Sequence, residues 1–182
     1  MRLSRPLLAL SLVLVLSACR SSGTQPPIQP VHSVDLSRYM GRWYVIASIP
    51  TMFDRNADAQ IENYRLGSNG KIHTTFSFHR GSLEGPPGTL RSTATVVPGS
   101  GNALWEVKFF WLLHEQYIVA WLAPEYSEVI VARDARDYVW LMARTPEIPA
   151  ADYQRMLARV KAMGYDLSKL RKIPQPQRLS AR

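Results

Sequence analysis

The chain has 182 residues, 46% of them hydrophobic and 20% charged, with 22 basic against 14 acidic side chains and a single cysteine. That is apolar enough to build one sizeable core, which excludes a wholly disordered or low-complexity chain. A lone thiol excludes an internal disulfide framework and any cysteine-based metal cluster, and a net charge of +8 favours anionic partners.

The chain opens with Arg2 and Arg5, an apolar run from Pro6 to Leu16 and then small residues, the layout of a secretory signal peptide. The run is shorter than the roughly 20 residues a membrane-spanning helix needs. It ends in Leu16-Ser17-Ala18-Cys19, which resembles a bacterial lipobox, so Cys19 is expected to carry the acyl chains that hold the protein on its membrane. Arg20 stands where inner-membrane lipoproteins carry aspartate, and the resemblance therefore implies the outer membrane. Loss of residues 1–18 removes two arginines and leaves 20 basic against 14 acidic side chains. Residues 19–34, rich in Ser, Gly, Pro and Gln, read as a flexible tether, residues 35–174 as one domain and 175–182 as a disordered tail. The basic residues are scattered and form no recognition motif, so membrane phosphate, not nucleic acid, is the expected anionic partner.

From Gly41 onward apolar and polar residues alternate in runs bounded by turn residues, the pattern of an all-β antiparallel barrel or sandwich. Strands are expected at 42–49, 58–66, 71–79, 89–97, 103–111, 117–123, 127–133 and 137–144. Asn69-Gly70 and Pro98-Gly99-Ser100-Gly101 are hairpin signals, and consecutive hairpins favour an up-and-down order. Beyond Pro149, Tyr153, Met156, Leu157 and Val160 recur at helical spacing up to Gly164, which predicts one amphipathic helix. Leu170 to Ile173 is expected to add a short ninth strand.

Three motifs in this frame carry a family resemblance. Gly41-Arg-Trp43-Tyr44 lies where a short turn becomes the first strand, and glycine there permits a sharp backbone turn that folds the indole under the following strands. Arg144 closes the eighth strand within Trp140-Leu-Met-Ala-Arg-Thr-Pro146, and Ala123-Pro-Glu-Tyr126 separates the sixth and seventh. Together they resemble the lipocalins, and the bacterial lipocalins in particular, across nearly the whole mature domain. The departure is Pro124-Glu125-Tyr126 in place of Thr-Asp-Tyr. The resemblance implies an eight-stranded barrel with a C-terminal helix, closed at one end by Gly41, Trp43, Tyr126 and Arg144, with the guanidinium over the indole. It also suggests homodimerisation, for which the two-sided apolar sixth strand is weak support.

If Trp43 and Arg144 point inward, the two-residue period of a strand orients their neighbours. Val45, Ala47 and Ile49 then face in from the first strand, and Tyr138, Trp140 and Met142 from the eighth. Phe76 and Phe78 face in from the third strand, Trp105 and Phe109 from the fifth, and Tyr117, Val119 and Trp121 from the sixth. Ala120 and Leu122 are left to meet the helix or a partner. Such a barrel either fills itself or holds one small ligand. In the lipocalin shape the end away from Trp43 is open, so Phe76, Phe78, Trp105, Phe109, Tyr117, Trp121, Trp140 and Met142 are the expected lipid-binding set. The family likeness supports fatty acids or lysophospholipids. About fourteen buried methylenes bring a gross gain near 11 kcal/mol at ~0.8 each. Tyr117, Arg80 and Arg91 are candidates for contact with an anionic head.

No nucleophile with a base, no paired carboxylates and no metal-ligand spacing are evident, so neither enzymatic activity nor a metal or other cofactor is expected. His73 and His79 have outward parity, which disfavours an axial haem ligand. Glu62 reads as an exposed strand residue. The register of the second strand leaves an inward alternative open, in which burial would raise its pKa and bring it against a ligand head group. The expected function is lipid binding or transport in envelope maintenance or stress. A lipid-modifying enzyme on the same barrel and a structural lipoprotein with a filled core are the competing classes.

Overall fold

A computed structural model of the chain describes residues 25–52, 54–109 and 113–176. A single helical turn, α1 (Leu36–Tyr39), leads into eight strands: β1 (Gly41–Ile49), β2 (Ala57–Leu66), β3 (Ile72–Arg80), β4 (Pro87–Val96), β5 (Leu104–Phe109), β6 (Leu113–Leu122), β7 (Glu128–Ala132) and β8 (Val139–Ala143). The helix α2 (Ala150–Ala162), a 3₁₀ turn (Leu167–Lys169) and the two-residue β9 (Arg171–Lys172) follow. Each of β1 to β8 pairs antiparallel with its sequence neighbours, and β1 pairs with both β2 and β8, which closes the barrel.

The closure is shared along β1. Gly41 to Tyr44 pair with β2, and Tyr44 to Ile49 pair with β8. Beyond Tyr44 the edge facing β2 is taken by β9, with Ala47 opposite Lys172 and Ser48 opposite Arg171. The Ile173 N–H donates to Ile46 O (2.9 Å), the Ala59 N–H to Pro174 O (2.9 Å), and the Gln175 amide to Val45 O (2.8 Å) and Gln60 O (3.0 Å). The C-terminal segment therefore satisfies backbone groups that splayed strands would otherwise leave open. Gln175, assigned by composition to the tail, is part of the domain.

Two β-bulges change the faces expected from simple alternation. In β1 the register shifts between Val45 and Ala47, and in β6 between Val119 and Trp121. An extra residue in one strand reverses the parity of everything after it. Ala47 and Ile49 consequently pack outward in the layer beneath α2, and Ser48, opposite Trp140, takes the inner side. Trp121 likewise turns outward, with the Arg159 guanidinium 4.7 Å from its ring centroid, and Leu122 packs against the inner cluster. Val45, Val119 and Ala120 lie on the faces expected of them.

There are thus two apolar layers. One fills the lower barrel around Trp43, Trp105 and Val119. The other lies between the outer wall and α2, where Met156 and Val160 are buried against Ile118, Ile130 and Leu141. Each such side chain contributes about 1.5–3 kcal/mol of transfer free energy, which fixes the helix on the wall. Gly164, with φ +87°, ends the helical region as its place in the sequence predicts.

The segment before α1 lies against the barrel. The Ile28 N–H donates to Asp134 Oδ1 (2.7 Å), Val31 N–H to Val119 O (2.9 Å) and Val34 N–H to Gly101 O (2.8 Å), and the Ile28 side chain is buried. Gly101 has φ +60°, and a Cβ there would fall 2.2 Å from His32 O, so glycine is what allows the segment to cross the β4–β5 turn. The tether expected over 19–34 is therefore docked from Gln25 onward. Its low hydropathy hides backbone bonding that composition does not report. The signal peptide 1–18, Cys19 and residues 177–182 of the tail lie outside the described residues.

Candidate functional site

One end of the barrel is sealed by a compact assembly around Trp43. The Trp43 indole N–H donates to Tyr39 O (2.8 Å), and the Arg144 guanidinium lies 3.8 Å from the indole centroid. The same guanidinium donates to Arg38 O (2.6 Å), Arg42 O (2.8 Å), Tyr39 O (2.9 Å) and Tyr126 O (3.3 Å). It thereby ties together α1, the start of β1 and the β6–β7 turn. Tyr126 adopts φ +60° and its hydroxyl accepts the Asp35 N–H (2.8 Å), with Arg38 stacked over its ring. Gly41 has φ +92°, a backbone conformation L-residues avoid, which explains glycine at the entry of β1.

Above this floor stands an aromatic stack. Trp105 and Tyr117 are parallel with centroids 4.4 Å apart, and Tyr39 and Tyr64 meet the Trp105 ring edge-on. The three phenols form a chain, Tyr39 OH to Tyr117 OH at 2.7 Å and Tyr117 OH to Tyr64 OH at 3.0 Å. Burial pushes all three tyrosine pKa values above their ordinary range, so they stay neutral and can act as donors.

A cavity of about 330 Å³ opens beyond this stack. Six of the eight expected lipid-contact residues line it: Phe76, Trp105, Phe109, Tyr117, Trp140 and Met142. Phe78 packs beside the wall with Phe76 and Ala57 in a separate small cluster, and Trp121 is on the opposite face because of the bulge in β6. His73 lines an outer groove with Arg91 and Lys71, so Arg91 is on the outside and not at a cavity rim. Arg80 lies over the Phe78 ring, 5.2 Å from its centroid.

The principal residue whose expected exposure the structure overturns is Glu62, for which the inward alternative of the second-strand register holds. It pairs with Trp43 on one side and Phe76 on the other, and that register turns it into the barrel, where it borders the cavity. The exposed reading is therefore corrected. Burial, reinforced by the nearby Asp54 carboxylate, pushes its pKa up to about 8, and its Oε2 has no hydrogen-bond partner. Part of its surface remains open, but onto the cavity. Asp54, from the β1–β2 loop, is buried and accepts the Thr51 N–H (2.6 Å) and hydroxyl (2.5 Å), yet desolvation still raises its pKa. Glu115 enters from β6 opposite Val107 and is ion-paired with Arg133. The available signal was the polar pair Asn63 and Arg65, whose outward placement requires Glu62 and Tyr64 to face in.

Comparison with known proteins agrees with this geometry. Residues 34–175 match the lipocalin-like domain family. The chain is 32% identical over 160 residues to temperature-induced lipocalin-1 of Arabidopsis thaliana, covering 81% of this chain and 83% of that one. It is 31% identical over 175 residues to the outer membrane lipoprotein Blc of Escherichia coli strain K12, covering 94% and 97%. Insecticyanin of the tobacco hornworm Manduca sexta superposes with a TM-score of 0.65 at 17% identity, over 85% of this chain and 88% of that one, which is a likeness of fold. With a barrel closed by β1, a floor of Trp43 under Arg144 and a match over the whole domain, the chain belongs to the lipocalin family.

Proposed function

We propose that this lipocalin is a membrane-anchored binding protein that holds or carries a fatty acid or lysophospholipid in its barrel, in maintenance of the cell envelope or its response to stress. The observation that carries this reading is the apolar cavity above the sealed floor. Phe76, Trp105, Phe109, Trp140 and Met142 provide its hydrocarbon walls, and its volume of about 330 Å³ lies at the small end of the range usual for ligand sites. A filled core would leave no such space. Likeness to an outer membrane lipoprotein over 94% of the chain supports the same compartment for this protein, with acylated Cys19 as the anchor. Two or three acyl chains suffice for stable attachment, and no helix among the described residues is long and apolar enough to cross a membrane.

The test is quenching of tryptophan fluorescence by bromine-labelled acyl chains. Trp105 and Trp140 border the cavity, so saturable one-to-one quenching by brominated fatty acid or lysophospholipid is expected, with most of it lost in Trp140→Ala and Trp105→Phe combined. Unsaturable or absent quenching would refute the reading.

A further inference from the structure

The polar groups inside the cavity have one sign. Among the described lining residues there are three carboxyls, Glu62, Asp54 and Glu115, and no lysine, arginine or histidine. Arg133 pairs with Glu115 from outside the lining, and Arg171, ion-paired with Asp58, also attracts the Asp54 carboxylate, which leaves Glu62 as the acid without a cation of its own. The other titratable groups of the cavity and the stack beneath it are phenols: Tyr39 from α1, Tyr64 from β2, Tyr117 from β6 and Tyr138 just before β8. Glu62 Oε2 is buried and has no partner. A polar atom of this kind costs free energy that an apolar residue would not, unless something in the cavity bonds to it.

We propose that the cavity is built for an amphiphile whose polar group is a cationic amine, held by Glu62 and Asp54 with its hydrocarbon against Phe76, Trp105 and Trp140. This rests on the lipid-binding reading above and changes its head group, placing a cation and not the anion of a fatty acid inside the cavity. An ammonium group supplies the positive charge that Glu62 lacks, lies within the field of Asp54, and donates to the open Glu62 oxygen. A carboxylate or phosphate entering the cavity finds no lysine, arginine or histidine among the described lining residues to pair with, so an anionic head is left at the mouth or must be neutralised. Burial keeps Glu62 largely protonated at neutral pH when the cavity is unliganded. Ammonium binding then drives its proton into the buffer, because the charged pair is the more stable state next to a fixed cation.

The experiment uses the protein produced with Cys19→Ala, so that no acyl anchor competes, titrated calorimetrically at pH 7 with decylamine, decanol and decanoate. Decylamine stays charged at this pH, as a lysine amine does. It should bind about tenfold or more tighter than decanol, with decanoate weaker than either. Repetition in buffers of different ionisation enthalpy should show about one proton released per amine bound and none for decanol. Glu62→Gln should remove the proton release and most of the amine preference, with an unchanged far-UV circular dichroism spectrum reporting that the barrel is folded. Decanoate binding as tightly as decylamine, or a Glu62→Gln protein that retains the preference, would overturn the proposal and leave lipid binding standing. Binding of none of the three would overturn both.

Discussion

Replacing Arg144 by alanine tests whether the sealed end is a structural keystone of the barrel. The guanidinium donates four hydrogen bonds and covers the Trp43 ring at 3.8 Å. The bonds to Arg38 O and Arg42 O lie at exposed positions, where water can replace them at little cost. Those to Tyr39 O and Tyr126 O are partly buried, and each charge-assisted bond there contributes about 1.5 kcal/mol. The cation–π contact adds about 1 kcal/mol. The expected loss is therefore about 4 kcal/mol, read as a lower urea midpoint with unchanged m-value by tryptophan fluorescence, and a fall in Tm of roughly 12 °C for a domain of this size. Arg144→Lys keeps the charge over the indole but has no fork to span several carbonyls, so it should fall between wild type and alanine. A loss below about 1 kcal/mol in Arg144→Ala would show that the floor is held by packing alone and refute the reasoning.

Further outcomes follow from the same geometry. Glu62, with its pKa raised from 4.5 to about 8, binds a proton in the folded state that the unfolded chain has already released. Its contribution to stability is thus fully present below about pH 4.5 and is lost as pH rises through about 8, by at most about 5 kcal/mol. Asp54, also raised, acts in the same direction. Urea midpoints of the unliganded protein should fall across this window, and Glu62→Gln should flatten the slope; equal slopes in the two proteins would count against burial of the carboxyl. Trp140→Ala should weaken acyl-chain binding about tenfold with the fold intact, whereas Trp121→Ala should cost about 2 kcal/mol of stability and leave affinity unchanged, since the β6 bulge turns it beneath α2. Equal effects of the two on binding would contradict that register. Cys19→Ala should move the protein from the membrane to the soluble periplasmic fraction; continued membrane association would rule out the acyl anchor.

The barrel was legible because its signals are local and repeated. Eight alternating runs, two glycine-bearing hairpins and a helix framed by Pro149 and Gly164 each announce themselves within about ten residues. Fixing Trp43 inside also orients β8, since β8 has no bulge and Trp140 and Met142 precede Arg144 at steps of two. The same arithmetic failed in β1 and β6, where Ile46 and Ala120 sit in runs apolar on both faces. There the pattern cannot distinguish regular alternation from a shift of one residue. Glu62 is read as exposed, with an inward alternative, for a different reason: a carboxyl reads as surface, and its burial depends on the pairing of β2 with both β1 and β3. The docking of Gln25 to Val34 and of Ile173 to Gln175 rests on backbone hydrogen bonds to distant strands, which leave no mark on hydropathy.

Native mass spectrometry of the protein purified without detergent from its own host addresses the central claim most directly. The account predicts a one-to-one complex with an acyl-chain lipid, lost or sharply reduced in Trp140→Ala. A protein that emerges free of lipid, and that binds none when lipids are added back, would contradict it.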